Sequence, residues 1–183
     1  MTSIGVAGHR YLTDTDRVAA GVEQALCSIE RAFPSGPYTA LSSLAAGADR
    51  LVARQILARP GTRLFAPLPL PPADYLTDFA SADEFLALLA QAALVMVLPP
   101  TPTRGDAYTA AGRYVVEHCD VLLAVWDGQP AQSQGGTGDV VALARRRGLP
   151  VAWVHAGNRR PGTYELTTLG EEQGRVSLER FPV

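Results

Sequence analysis

The chain has 183 residues, of which 47% are hydrophobic and 19% charged, and its formal net charge is −2, a composition typical of one globular domain. All sixteen basic residues are arginines, which excludes a Walker A phosphate loop and Schiff-base chemistry because both require lysine. The slightly acidic charge balance disfavours a general binder of polyanions.

The cysteine content and the apolar runs bear on the compartment. Cys27 and Cys119 are too few for a disulfide framework and indicate reduced thiols. The first residues pass into an apolar segment without a basic leader. The longest apolar run, residues 85–98, is shorter than the roughly 18 residues that a membrane span requires. We therefore expect a cytoplasmic protein without a membrane partner.

Short apolar segments typical of strands alternate along the chain with stretches typical of helices. In chain order the sequence predicts a strand at residues 4–7, a helix at 13–33 capped by Thr13 and Asp14, a strand at 39–44, a helix at 47–59, a strand at 63–66, a helix at 82–93, a strand at 94–98, a helix at 107–118, a strand at 121–126, a helix at 138–147 and a strand at 151–154. Residues 121–125 are continuously apolar, as in a strand covered on both faces. The pattern predicts an α/β fold with a parallel sheet between two layers of helices.

The C-terminal part of the chain is polar. We expect residues 1–156 to form the domain and residues 157–183 to be a polar extension of it. Val176, Leu178 and Phe181 in this extension are compatible with an edge strand, a dimer arm or a disordered end. The helix around residues 85–93 is almost entirely apolar, which is compatible with a homo-oligomer.

The turn after the first strand holds the first group of candidate binding residues. Ligands of open parallel α/β sheets bind beyond the carboxyl ends of the strands, where helix N-termini meet. Gly8, His9 and Arg10 follow the first strand directly. Glycine permits close approach of the backbone, and arginine offers a planar fork of donors for phosphate. A glycine turn followed by two solvated residues explains the same pattern.

The turn after the second strand is made of small residues. Ser42, Ser43 and Gly47 lead into a helix, and their hydroxyl and backbone groups suit a phosphate oxygen. Plain packing of a strand against a helix, with serine as the cap, is the alternative. Asp49, in the first helical turn, complements the helix dipole in this interpretation.

Two further turns carry candidate contacts. The proline-rich loop after the third strand ends in Asp74 and Tyr75, which suit a ribose hydroxyl and a base, although a rigid crossover explains the loop equally. The fifth strand leads into Gly135, Gly136 and Thr137 at a helix N-terminus, the most specific anion-binding signal in the chain. A flexible glycine loop without a ligand is the alternative there.

The sequence gives no sign of a metal site or a nucleophile. His9, His118 and His155 lie far apart, and no second pair with metal-ligand spacing is present. No Gly-x-Ser-x-Gly elbow occurs, and Cys119 has no obvious oriented base. We expect neither a metal nor a cofactor.

The turns after the first, second and fifth strands, in this order and spacing, resemble the SLOG superfamily. This superfamily groups the LOG phosphoribohydrolases, often labelled lysine decarboxylases, with the DNA-processing protein A family. The resemblance covers about residues 3–156. It implies a three-layer Rossmann-like fold with a mostly parallel central sheet of about six or seven strands. It also implies a site for a nucleotide or a nucleotide-derived ligand, with Gly135, Gly136 and Thr137 on the phosphate side.

The chain departs from the LOG pattern at the catalytic position. LOG enzymes carry a glutamate shortly after the Gly-Thr of their motif and an arginine on the preceding helix. Depending on which glycines are aligned, Val140 or Ala142 occupies the position of that glutamate here. Arg113 stands near the position of the arginine, and Asp139 is the carboxylate beside the glycines. Arg113 and Asp139 are therefore the catalytic candidates that the resemblance implies.

The resemblance and its departure lead to three hypotheses. The missing glutamate favours a sensor or binding protein for a nucleotide or a nucleotide-derived ligand. The alternative is a phosphoribohydrolase that cleaves the N-glycosidic bond of nucleoside monophosphates, with Asp139, Asp127 or Asp74 replacing the glutamate. The third is binding of single-stranded DNA in the manner of the DNA-processing family, which the charge balance disfavours, so that nucleic acid is not the expected partner.

Overall fold

The structure of the protein is a computed structural model that describes residues 1–182. The strands are β1 (Thr2–Gly8), β2 (Tyr38–Leu41), β3 (Arg63–Leu68), β4 (Leu94–Val97), β5 (Val121–Trp126), β6 (Val151–His155) and β7 (Val176–Glu179). The helices are α1 (Thr15–Ala32), α2 (Ala48–Leu57), α3 (Pro72–Tyr75), α4 (Asp83–Leu89), α5 (Arg104–His118) and α6 (Thr137–Arg146).

Within residues 1–182 the seven strands form one sheet in the order β4-β3-β2-β1-β5-β6-β7. The first six strands run parallel, and β7 pairs antiparallel with β6. The first strand is central: Ile4 lies opposite Val121 of β5, and Gly5 lies opposite Leu41 of β2. The predicted three-layer Rossmann-like fold with a mostly parallel sheet is confirmed.

The two faces of the sheet carry separate apolar cores. On one face α1 and α2 pack on the strands, and on the other face α5 and α6 do so. Every residue of β5 is buried, as the continuous apolar run at residues 121–125 predicts. The apolar helix α4 turns Phe85 and Leu88 into the protein's own core and leaves Leu86 exposed.

The helices α1 and α5 begin at residues other than the predicted ones. Helix α5 begins three residues before its predicted start, because the Thr103 hydroxyl accepts a hydrogen bond from the Asp106 amide at 3.1 Å. Asp14 is the N-cap residue of α1, as predicted, and its carbonyl accepts a hydrogen bond from the Val18 amide at 3.1 Å, but no side chain among residues 1–182 caps the helix. The Asp14 carboxylate instead accepts a hydrogen bond from the Thr168 hydroxyl, and the Thr13 hydroxyl donates to the Thr167 carbonyl.

The C-terminal segment is fastened to the sheet and to the start of α1. Residues 176–179 form the edge strand β7, which is one of the three alternatives stated for this segment. The buried Gln173 side chain accepts hydrogen bonds from the Gly157 and Leu169 amides and donates one to the Thr13 carbonyl. The extension predicted at residues 157–183 ends in Val183, which lies outside the described residues.

In residues 1–182 each helix is too short or too polar to cross a lipid bilayer.

Candidate functional site

A cavity of about 430 Å³ opens at the carboxyl edge of the sheet. It lies beyond the carboxyl ends of β1 and β5. These two strands are neighbours, and the order of the remaining strands continues away from them in opposite directions. At this topological switch point the loops diverge and leave a crevice, which is the usual ligand position in open α/β sheets. The cavity is lined by the turn after β1, the start of α2, Tyr75, one face of α5, the loop at residues 130–138 and the loop after β6.

Eight of the predicted site residues line this cavity. They come from the turns after four different strands and meet because those strands all end at the same edge of the sheet. They are Gly8, His9, Arg10, Ser43, Tyr75, Gly135, Gly136 and Thr137.

Five predicted residues lie outside the cavity lining. Ser42 is fully buried, and its hydroxyl donates to Asp49 at 3.1 Å. Gly47 packs against the backbone of residues 9 and 10. Asp74 and Arg113 are exposed, and the exposed Asp139 accepts a hydrogen bond from the Gly135 amide at 3.2 Å. Neither catalytic candidate, Arg113 or Asp139, lines the cavity itself, although Asp139 binds the amide of a residue that does.

Arg10 is the principal cation of the cavity. Its guanidinium carbon lies 5.3 Å from the centroid of the Tyr108 ring, a cation–π contact. The Tyr108 hydroxyl is held by Asp78 and accepts a hydrogen bond from Arg104, so the ring is fixed in place. Among residues 1–182 no carboxylate pairs with Arg10. The guanidinium thus has its donors available to an anion.

Asp49 brings a buried carboxylate to the same cavity. Its side chain is on the first turn of α2, and the residue is only 5% exposed. Burial raises the pKa of Asp49 from 3.8 to about 6, although hydrogen bonds from the Ser42 hydroxyl and the Ala45 amide and the positive charge of Arg10 favour the ionised form. The sequence interpretation, in which Asp49 only complements the helix dipole, did not include this position in the site.

His9 links the two turns that form the crevice. Its Nε2 lies 3.0 Å from the Asp127 amide nitrogen and 3.1 Å from Asp127 Oδ1. An unprotonated Nε2 accepts from the amide, and a protonated one donates to the carboxylate, so the turns after β1 and β5 are joined in both states. Burial, the largest single effect, opposes ionisation of Asp127, but the hydrogen bond with His9, the bonds from the Gln129 and Asp127 amides and the charge of His9 together outweigh it and lower the pKa of Asp127.

Some of the backbone amides in the glycine-rich turn before α6 form hydrogen bonds within the protein itself. The Gly135 amide donates to Asp139, and the Gly136 amide donates to the Ser133 carbonyl at 3.1 Å. The next two amides, those of Thr137 and Gly138, begin α6 and lie in the cavity lining. They have no hydrogen-bond partner within residues 1–182. The turn therefore offers an anion two amides and the Thr137 hydroxyl.

A second arginine reaches the cavity from the loop after β6. Arg159 lies between two aromatic rings, with its guanidinium carbon 4.5 Å from the Tyr11 centroid and 5.8 Å from the Tyr164 centroid. The Arg159 Nε is buried and has no partner among the described residues. Arg159 and Leu166 form an antiparallel bridge that closes the loop into a hairpin. The turn after β6 also lies beyond the carboxyl end of a strand, where ligands of open α/β sheets bind. Considering this turn together with the others would have identified Arg159 from sequence.

The chemistry of these groups is that of an anion-binding pocket with one acceptor at its floor. Two arginines and a helix N-terminus supply donors, and Asp49 supplies a buried carboxylate. Within the described part of the chain, no three His, Cys, Asp or Glu side chains are grouped so that they could hold a metal ion.

Comparison with known proteins identifies the fold. No protein-family model and no curated protein matches the chain. Among solved structures, DNA processing protein A (DprA) from Streptococcus pneumoniae matches with a TM-score of 0.58 and 17% identity, over 82% of this chain and 49% of that chain. The protein named TM1055 matches with a TM-score of 0.49 and 13% identity, over 82% of this chain and 72% of that one.

The chain spans about half the length of the DprA chain that it matches. In this chain, seven strands form one mostly parallel sheet with helices on both faces, and the match to DNA processing protein A is a match of this overall fold. The predicted Rossmann-like fold is thereby confirmed, and the chain shares this fold with DNA processing protein A over 82% of its own length.

Proposed function

We propose that the chain binds a nucleotide or a nucleotide-derived ligand in the cavity at the carboxyl edge of the sheet, as a sensor or binding protein. The observation that carries this proposal is Arg10, an arginine without a carboxylate partner in the described structure, which faces the cavity at the switch point. An arginine in such a position gains most of its binding energy from an anion supplied by a ligand.

Further groups support an anionic ligand. Arg159 lies in the lining with a buried, unpartnered Nε, and the first two residues of α6, whose amides have no partner among the described residues, line the same cavity. The volume of about 430 Å³ lies within the range of about 300–1,000 Å³ that is usual for small-molecule sites. The rings of Tyr75 and Tyr108 add apolar surface on which a base can pack.

The proposed ligand contacts are those predicted residues that line the cavity. They are Gly8, His9, Arg10, Ser43, Tyr75, Gly135, Gly136 and Thr137. Ser42 and Gly47 act indirectly in this proposal, by holding Asp49 and the turn after β1 in place.

The first test identifies the ligand. Small molecules released from freshly purified protein are analysed by mass spectrometry, and nucleotides are then screened by thermal shift. A true ligand present at a hundredfold excess over its Kd is expected to add about 2.7 kcal/mol to the free energy of unfolding. A complete absence of stabilisation by mono-, di- and triphosphates would contradict the proposal.

A pair of matched arginine variants tests the site. Arg10→Gln removes the cavity cation, whereas Arg113→Gln removes an exposed arginine outside the lining. A charge-assisted hydrogen bond is worth about 1.5–3 kcal/mol, so we expect Arg10→Gln to weaken nucleotide binding roughly ten- to hundredfold by calorimetry. Arg113→Gln is expected to bind like the unmodified protein, and an equal loss in both variants would argue against this cavity.

The second candidate function is hydrolysis of the N-glycosidic bond of a nucleoside monophosphate. The position of Asp49 in the cavity favours it. A carboxyl group whose pKa is raised to about 6 lies in the cavity, as general acid–base catalysis requires. Asp74, Asp127 and Asp139, the carboxylates considered from sequence, are outside the lining. The test is incubation with AMP, GMP, CMP and UMP. Ribose 5-phosphate and free base formed by the unmodified protein but not by Asp49→Asn would establish catalysis, and intact monophosphates support the binding role.

A further inference from the structure

Asp49 and Tyr75 are two buried polar side chains in the lining of the cavity. They come from separate elements, the first turn of α2 and the end of α3, and both line the cavity although they are only 5% and 1% exposed. We call these two side chains the floor pair. Burial this deep excludes bulk water, so whatever occupies the cavity must satisfy their hydrogen-bonding groups.

The Asp49 carboxylate retains acceptor capacity toward the cavity. Oδ2 accepts from the Ser42 hydroxyl at 3.1 Å, and the Ala45 amide donates to the carboxylate as well. An ionised carboxyl group has about four acceptor positions, so about two are left. Arg10 is near enough for its charge to act on Asp49, but the two side chains form no direct ion pair. The carboxylate therefore still lacks donors.

Tyr75 supplies the complementary donor. Its ring is packed edge to face against Phe79 and Phe85, which fixes its direction. Burial and the nearby charge of Asp49 raise the pKa of Tyr75, so the hydroxyl stays protonated and donates. Among the described residues no hydrogen bond contributes to the pKa of Tyr75, and the side chain lines the cavity, so the hydroxyl is available to a ligand.

The negative charge of the Asp49 carboxylate determines which group of a ligand can lie against it. A phosphate dianion placed against the carboxylate would meet a like charge in a water-poor site. A hydroxyl group can instead donate to the carboxylate or accept from the tyrosine, so the hydroxyls of a sugar satisfy both members of the floor pair. The phosphate belongs nearer to Arg10 and the start of α6, where the donors are.

We infer that the floor pair recognises a sugar hydroxyl of the ligand, and that Asp49 makes the cavity selective for ribonucleotides over nucleotides whose ring lacks hydroxyls. This inference rests on the proposed function, because it assigns one part of the same ligand. It limits the ligand class to phosphorylated compounds that carry a free hydroxyl beside the anion, and it excludes inorganic phosphate and pyrophosphate as good ligands.

The experiment compares AMP, GMP, CMP and UMP with their 2′,3′-dideoxy counterparts by calorimetry on the unmodified protein. The ribonucleotide that binds best is expected to bind ten- to hundredfold more tightly than its dideoxy form, which follows from the strength of a hydrogen bond to a charged group. Because this comparison needs no variant, it does not depend on how a substitution folds. Equal affinities of the two forms would overturn the inference and leave the proposed function intact.

Two variants then locate the selectivity. Asp49→Asn keeps an oxygen for Ser42 and Ala45 but loses the charge, so the preference for the ribonucleotide is expected to fall about tenfold. Asp16→Asn changes an exposed carboxylate on α1, outside the cavity lining, and is expected to keep the full preference. A preference that survives in Asp49→Asn would assign the hydroxyl contact elsewhere and overturn the inference. If all eight monophosphates fail to bind, the comparison is repeated with the di- and triphosphates, and failure of these as well would overturn the proposed function and this inference together.

Discussion

Gly47 sets the position of the turn that carries Arg10, although it does not itself line the cavity. Its φ is +81°, and a Cβ at this position would lie 2.4 Å from the Arg10 carbonyl oxygen and 2.6 Å from that of His9. The next residue, Ala48, donates its amide to the His9 carbonyl at 3.0 Å. The small residue found by sequence after β2 is thus required by the close approach of two backbones.

The contribution of this contact can be measured against a second glycine. Gly148 also has a positive φ, +73°, but a Cβ there would meet nothing within 4 Å. Both Gly47→Ala and Gly148→Ala carry backbone strain, and only Gly47→Ala adds overlap with backbone atoms. We expect Gly47→Ala to lower the free energy of unfolding by about 1–3 kcal/mol more than Gly148→Ala in urea titrations. Equal losses would show that residues 9 and 10 move aside readily.

Asp49 is expected to make the unliganded protein less stable at neutral pH. Its pKa is about 6 in the folded state against 3.8 ordinarily, so the folded state holds the proton more tightly. The stability this contributes is complete below about pH 4 and is lost as the pH rises through 6. Relative to the unmodified protein, Asp49→Asn should gain about 2–3 kcal/mol in free energy of unfolding between pH 4 and pH 7. Asp139→Asn serves as the control. If the free energy of unfolding of Asp49→Asn followed the same pH dependence as that of the unmodified protein, the raised pKa would not belong to Asp49.

At the scale of elements, the strands and most turns were predictable, because apolar runs and glycine turns are local signals. The buried β5 and the glycine turn before α6 follow from sequence in this way. Asp49 was not identified because its role depends on contacts between distant segments, whereas Arg159 was missed because the turn after β6 was not considered as part of the site. The start of α2 packs on the turn after β1, and the hairpin after β6 folds back over the cavity.

The hairpin after β6 is expected to respond to a ligand. Residues 158–166 bring Arg159 to the cavity, while Tyr164 at the far side is 92% exposed. Few packed neighbours hold such a segment in the unliganded protein, so its amides exchange readily. We expect a bound nucleotide to slow hydrogen exchange in residues 158–166, with β7 unchanged as the internal reference. Unaltered exchange in the hairpin at saturating nucleotide would exclude Arg159 from the binding site.

At the scale of the whole molecule, charge argues against nucleic acid as the partner. The net charge is −2, and several arginines are already paired, among them Arg59 with Glu23 and Glu30 and Arg145 with Glu179. Binding driven by phosphate contacts needs a continuous basic surface. We expect no mobility shift with single-stranded DNA at about 150 mM salt. A shift that weakens steeply as salt rises would revive the DNA-binding hypothesis.

The placement of β1 at the centre of the sheet has a consequence for the order of assembly. Strand β1 is synthesised before the other strands of the sheet, yet it pairs with β5. At the start of this pairing the Asp120 carboxylate accepts a hydrogen bond from the Ser3 amide at 2.7 Å. As the chain emerges during synthesis, one side of β1 stays unpaired until residues 121–126 appear. The crevice between the two strands is therefore completed late, after the two halves of the polypeptide have met.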